Sequence, residues 1–226
     1  AGVFEAHKRF GTLAVKDILQ PVIDLAQRGV VVTKKQEARL KKHQSDFLKA
    51  NKSPILFSKP WLQNDTIKYP ELAKTLMHLQ TKGRDEFYKG NIATKLATFI
   101  KHNGGIITKE DLANYEAVWR TPVTFKYDDL RIISMAPPSS GGICLAQIMN
   151  AIEPYDLKSY GHNSTKTIQV ITEAERRAYA DRSHFLGDPD FVTMPIDTLM
   201  SKPYSTSRMK SFSFTQPTRS QTLSHG

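Results

Sequence analysis

The chain has 226 residues, 39% hydrophobic and 24% charged, a balance that supports a buried core and excludes a collagen-like, wholly disordered or membrane-spanning polymer. Its one cysteine, Cys144, excludes an internal disulfide, and its seven histidines are scattered from His7 to His225 without metal-ligand spacing. Lys and Arg exceed Asp and Glu by ten, which raises a nucleic-acid partner, yet no aromatic-interleaved basic run or nucleic-acid-binding motif accompanies the charge.

The first helix expected spans about Val15 to Arg28, where Val15, Ile18, Leu19, Val22, Ile23 and Ala26 recur with helical period before Gly29. Pro21 lies inside the pattern and removes one backbone donor, so a kink or a break near Leu19 is expected. A basic helix follows over about Lys34 to Ala50. The segment from Lys34 to Lys52 carries Lys34, Lys35, Arg39, Lys41, Lys42, Lys49 and Lys52 against only Glu37 and Asp46, and reads as a solvated face. Residues 51–69 read as loop, because Pro54 and Pro60 remove donors and Asn64-Asp65 favours a turn.

Pro70 suits a first helical position and Leu72, Leu76 and Leu79 share a face before Gly83. Ile92, Leu96, Phe99 and Ile100 mark another helix, ended by Asn103-Gly104-Gly105, and the Thr108 hydroxyl is placed to cap the next. The period then changes. Val123, Phe125 and Tyr127 alternate with polar residues, as do Leu130 and Ile132, which predicts a hairpin turning at Asp128-Asp129. Two strands alone are marginal, so partners outside the pair are expected.

Pro137 to Gly142 ends the second strand and opens a helix with Leu145, Ile148, Met149 and Ile152 as apolar positions; a long helix runs from about Ser164 to His184. The Ser- and Thr-rich stretch that follows, 204–226, is expected to be a flexible tail, separate from a domain over 1–203. Trp61 and Trp119 are expected to be packing anchors.

Ser139 and Ser140 stand in a glycine-rich turn before a helix, a setting that raises a nucleophile, although no Gly-x-Ser-x-Gly elbow surrounds them. The structural alternative is that Pro137 and Pro138 stiffen the strand exit while Gly141 and Gly142 permit close backbone approach. A third reading makes Ser139, Ser140, Gly141 and Gly142 a loop lining an active-site region, its helix N-terminus favouring an anionic substrate. Glu173, Arg177, Asp181 and His184 form one helical stripe, read as intrahelical pairing plus contacts to a neighbour, with proton transfer as the alternative. Cys144 reads as a small core residue.

Several runs together are similar to the large subunit of γ-glutamyltranspeptidase, also called glutathione hydrolase. They are Arg84-Asp85-Glu86-Phe87-Tyr88-Lys89-Gly90, the stretch from Gly104 to Leu112, Pro137 to Gly142, Ala178 to Ser183, and Leu186 to Phe191. The resemblance implies an α/β fold, part of the αββα sandwich of the N-terminal-nucleophile hydrolases, to which this portion adds mainly helices and an edge hairpin. It implies a precursor that cleaves itself, a threonine at the new N-terminus of the small subunit as nucleophile, and a γ-glutamyl amide such as glutathione as substrate. It also implies an amino acid or peptide acceptor, no cofactor, no metal, and a periplasmic or extracytoplasmic location.

Under this resemblance the nucleophile belongs to the small subunit and a substrate-binding arginine to a region before Ala1, so no catalytic residue is expected in the chain, and residues 204–226 lead toward the cleavage site. Ala1 in place of Met fits a processed chain or an excised fragment. A basic polyanion-binding module and an inactive homologue stand as alternatives; a nucleic-acid partner and a membrane span are not expected.

Overall fold

The computed structural model describes residues 1–51 and 53–226, and Lys52, counted above with the basic segment, lies outside them. The chain forms two compact units, Ala1–Val118 and Trp119–Gly226.

The first unit opens with α1 (Gly2–Phe10), which sequence periodicity did not reveal, and α2 (Val15–Arg28). Of the kink or break expected near Leu19, the break is absent: α2 runs through Pro21 to Arg28. Burial explains its persistence, because Ile23 and Ala26 pack with Ala73 of α4 (Pro70–Lys82), flanked by Leu19, Tyr69, Leu76 and Met77. Tertiary packing of an apolar face contributes more to a helix than one lost hydrogen bond removes. Gly29 ends α2 at φ 87°, and a Cβ there would lie 2.6 Å from the Ile67 carbonyl, so this position requires glycine.

The stretch 51–69, expected to be only loop, contributes one strand to a short pairing. β1 (Val30–Val31) runs antiparallel to β2 (Thr66–Ile67), extended by the Val32 amide donating to the Asp65 carbonyl at 2.8 Å. Two residues carry no readable period, which is why the alternation rule missed them. Between the strands lies α3 (Lys34–Ala50), capped by a reciprocal Thr33 and Gln36 box. Its Lys34, Lys35, Arg39, Lys41, Lys42 and Lys49 are all exposed, as a solvated face requires. Trp61 does anchor the following segment, its indole N–H donating to the Leu56 carbonyl at 2.8 Å.

The unit closes with α5 (Arg84–Tyr88), α6 (Asn91–His102) and α7 (Lys109–Asn114). Thr108 caps α7 as expected, accepting from the Asp111 amide while Asp111 accepts from the Thr108 amide at 2.8 Å.

The second unit begins with the expected hairpin, β3 (Val123–Tyr127) and β4 (Leu130–Ser134), in the register Val123 to Ser134 and Tyr127 to Leu130. Asp128 takes φ 53° at the turn. Val123 and Phe125 face the core with Ile143, Ala146 and Leu199. The other face, Thr124, Lys126, Arg131 and Ile133, is exposed, and Ile133 is its one apolar residue, at 61% exposure. Trp119, expected as a packing anchor, is 54% exposed instead.

Helix α8 (Gly141–Ile152) packs against the hairpin, and α9 (Leu157–Tyr160) leads into α10 (Thr165–Phe185). The buried residues of α8 include Ile143, Ala146, Gln147, Asn150, Ala151 and, as expected, Ile152, while Leu145, expected inside, is 39% exposed. Then come α11 (Ile196–Leu199) and α12 (Lys202–Arg208).

Residues 204–226 differ from the flexible tail expected. Met209 is buried with Ala151, Ile152, Val170 and Ala174. Phe212 and Phe214 meet the Tyr155 ring edge-on at 5.9 and 6.3 Å. A few apolar side chains spaced along a polar stretch suffice here, because α10 supplies charged partners for the polar main chain between them.

A candidate active-site loop and the buried seam on α10

The loop from Pro137 to Gly142 contains a cis peptide between Pro137 and Pro138. The Ser139 amide donates to the Ala136 carbonyl at 3.2 Å, and Ser139 Oγ accepts weakly from the Gly141 amide at 3.4 Å. Ser140 is the residue before α8, and its hydroxyl accepts from Arg182 Nε at 2.8 Å. A guanidinium cannot take a proton, and no histidine or carboxylate is hydrogen-bonded to either serine among the described residues, so the geometry gives neither an activating base.

Gly142 earns its place through packing. A Cβ there would lie 2.5 Å from the Met135 carbonyl and 3.2 Å from the Val123 and Ser134 Cβ atoms. The hairpin and α8 therefore meet backbone to backbone, as the structural alternative expected. Gly141 is different, with only Ser139 Oγ at 3.6 Å. Cys144, one turn into α8, is buried, and burial pushes its thiol pKa up, so it stays protonated near neutral pH.

The polar stripe on α10 divides into two sets. Glu173 pairs with both Arg176 and Arg177. Burial opposes its ionisation, but hydrogen bonds from Arg177, Thr218 and Arg176 outweigh that and hold its pKa below the usual value. Arg177 is 2% exposed; its Nε donates to the Arg208 carbonyl at 2.7 Å and its Nη2 to Ser211 Oγ at 2.9 Å. Arg176 reaches the Thr218 carbonyl at 2.9 Å and Ser220 Oγ at 3.1 Å.

Asp181, one turn further along, is fully buried. Its Oδ2 accepts from Gln147 Nε2 at 2.8 Å and from the Tyr204 hydroxyl at 3.0 Å. Its Oδ1 accepts from the Gly226 amide at 2.9 Å and lies 3.1 Å from Arg208 Nη2. Burial, reinforced by this carboxylate, pushes the Tyr204 pKa up to about 12. His184 stacks on His225 with ring centroids 3.4 Å apart. The stripe thus does what intrahelical pairing and neighbour contacts predict, with a small cavity beside it lined by Arg177, Asp181, Gln147, Ser205 and Arg208.

Helical spacing identified Arg177 and Asp181, but nothing in the sequence identified Gln147, Tyr204 or Arg208, which arrive from other elements. Arg182 had a weak signal as part of the Ala178 to Ser183 run. Among the described residues, no group of three or more His, Cys, Asp or Glu is placed to hold a metal ion, and no helix is long and apolar enough to cross a membrane.

Comparison with known proteins decides what these units are part of. A sequence profile described as gamma-glutamyltranspeptidase matches residues 1–225. The chain belongs to the gamma-glutamyltranspeptidase family. It is 44% identical over 211 residues to the glutathione hydrolase proenzyme of Escherichia coli K12, covering 92% of this chain and 36% of that protein. A second glutathione hydrolase proenzyme, from Pseudomonas sp. A14, is 37% identical over 209 residues, again 36% of its length. The chain therefore spans about a third of these curated relatives.

Among solved structures, the gamma-glutamyltranspeptidase of Helicobacter pylori superposes with a TM-score of 0.92 at 39% identity, covering 98% of this chain and 65% of that one. The enzyme from Pseudomonas nitroreducens, complexed with L-DON, gives 0.91 at 34% identity, covering 99% and 67%. The likeness confirms the expected fold class, an N-terminal-nucleophile hydrolase portion that is mainly helical, and among the described residues it holds two small antiparallel strand pairs, one of them the expected hairpin.

Proposed function

We propose that this chain is a portion of the large subunit of a γ-glutamyltranspeptidase. The parent enzyme hydrolyses γ-glutamyl amides such as glutathione and transfers the γ-glutamyl group to water or to an amino acid or peptide acceptor. The observation that carries the reading is the family match across residues 1–225, together with glutathione hydrolase proenzymes at 44% and 37% identity.

In this reading the partner is the small subunit of the same precursor, whose N-terminal threonine attacks the γ-glutamyl carbonyl. The free α-amino group, with a reference pKa of ~8, serves as base for the hydroxyl beside it. No serine of the Pro137 to Gly142 loop takes that part, which agrees with the absence of a base beside Ser139 and Ser140. The loop instead lines the active-site region, with Arg182 and the start of α8 supplying positive character toward an anionic substrate. The uncovered face of the hairpin at Ile133 receives the rest of the sheet. Residues 1–203 and 204–226 have separate roles, the second leading toward the cleavage site, and the enzyme works outside the cytoplasm.

The test uses the full precursor. Purified precursor is expected to resolve into two fragments on a denaturing gel and then to release a chromogenic amine from its γ-glutamyl amide. The 226-residue chain alone is expected to release none above a no-protein control. A precursor that stays whole and inactive would refute the reading and leave the inactive homologue. A second reading, polyanion binding by the exposed cationic face of α3, predicts salt-sensitive retention on heparin that charge reversal at Lys34, Lys41 and Lys49 abolishes.

A further inference from the structure

Side chains of α10 hold the segment 204–226 through several of its side chains and, at three points, through its backbone. Arg177 binds the carbonyl of Arg208, Arg176 binds the carbonyl of Thr218, and Asp181 binds the amide of Gly226. Arg208 extends the set, its Nη2 lying between the Ser224 carbonyl at 2.6 Å and Asp181 Oδ1 at 3.1 Å. Contacts of this kind set the path and register of a chain independently of which side chains it carries.

A buried carboxylate is an expensive way to hold a loop for stability alone, since a well-packed apolar pair is often as stabilising. What it offers is directionality. Asp181 presents two oxygens to four donors, one of them a backbone N–H 45 residues downstream. That donor meets the carboxylate in only one register.

We propose that Asp181 is a positioning residue for self-cleavage of the precursor, an inference that rests on the γ-glutamyltranspeptidase reading above. In the cleavage step the threonine hydroxyl oxygen bonds to the carbonyl carbon of the preceding residue and the C–N bond of that peptide breaks. The hydroxyl proton passes to the departing amine, and water then splits the resulting ester into a carboxylate and a free N-terminal threonine. Asp181 touches none of these atoms. It acts through the segment, fixing the direction in which the chain leaves Gly226, because attack needs the reacting atoms about 3–3.5 Å apart and aligned.

The experiment follows conversion of full-length precursor into two fragments over time, for the wild type and Asp181→Asn. Asparagine keeps the shape but turns donors toward donors, and conversion is expected to slow on the order of tenfold or more. The cleaved fraction of Asp181→Asn, isolated after long incubation, is expected to keep kcat/KM for a γ-glutamyl amide within about twofold of wild type. A residue needed only for folding would lower yield and kcat/KM together. Should Asp181→Asn give no soluble precursor, Tyr204→Phe, which removes one donor and keeps the ring, decides on the same two readouts. Unchanged conversion, or loss of kcat/KM in the cleaved enzyme as large as the slowing, overturns the inference. A wild-type precursor that never cleaves refutes the functional reading instead.

Discussion

Gly142→Ala adds one methyl group where the hairpin and α8 touch. The new carbon would sit 2.5 Å from the Met135 carbonyl oxygen, a backbone atom that no rotamer change can move, and 3.2 Å from two Cβ atoms. An unstrained carbon–oxygen contact lies near 3.3 Å or beyond, so helix and strand must separate by roughly 0.8 Å. That separation loosens Val123 and Phe125 against Ile143 and Ala146, all now buried. Overpacking of this kind costs about 1–3 kcal/mol. Alanine returns up to about 1 kcal/mol of helix propensity in a helix interior, and less at the second residue of α8.

The net loss is then about 1–2 kcal/mol, which for a unit of this size lowers Tm by roughly 5–10 °C. Calorimetry of the chain and of both glycine variants measures it. Gly141→Ala is the control, because its Cβ would meet only Ser139 Oγ at 3.6 Å, ordinary contact, and its Tm should stay close to wild type. A Gly142→Ala chain that melts with the wild type, or a Gly141→Ala chain that falls as far, would refute the argument from close approach.

Other consequences follow from the seam on α10. Glu173→Gln leaves Arg177, 2% exposed, without its carboxylate and should cost about 3 kcal/mol at pH 7, measured by urea unfolding. A loss below about 0.5 kcal/mol would show that the pair is not effectively buried. Because the Glu173 pKa is lowered by folding, its contribution is present above the ordinary glutamate pKa and lost as pH falls through the folded value. The difference between Glu173→Gln and wild type should therefore vanish in acid.

Tyr204 shifts the other way: with its pKa raised to about 12, its contribution is complete below pH ~10 and lost as pH rises through about 12. Burial raises the Tyr155 pKa as well, so an ultraviolet titration should show more than one late tyrosine, and Tyr204→Phe should remove one of them. The Cys144 thiol, buried and held protonated, should react with a disulfide reagent only after denaturation; rapid labelling of the native chain would contradict its burial.

Local order along this chain was written in patterns that need no neighbour. The apolar period of α2, the solvated basic face of α3, the proline start of α4, the Thr108 cap and the alternation of the hairpin are each contained in a few consecutive residues. Family membership was legible for the same reason, since the runs at 84–90, 104–112, 137–142, 178–183 and 186–191 are contiguous. The misses have a common physical origin. α2 runs through Pro21 because Ala73 lies against its buried face, β1 and β2 are too short to show a period, and Leu145 is outside because Val123, Phe125 and Leu199 pack with Ile143 and Ala146 instead.

The clearest case is 204–226. Its composition resembles that of a flexible chain, since it has too few apolar residues to bury itself. Its order is supplied from elsewhere, by arginines 31 and 42 residues upstream of their acceptors and by an aspartate 45 residues upstream of Gly226. The sequence alone placed Arg177 and Asp181 on one face of a helix. Only the tertiary structure decided what that face holds, because a hydrogen bond to a distant backbone group leaves no trace in the local sequence around the side chain that makes it.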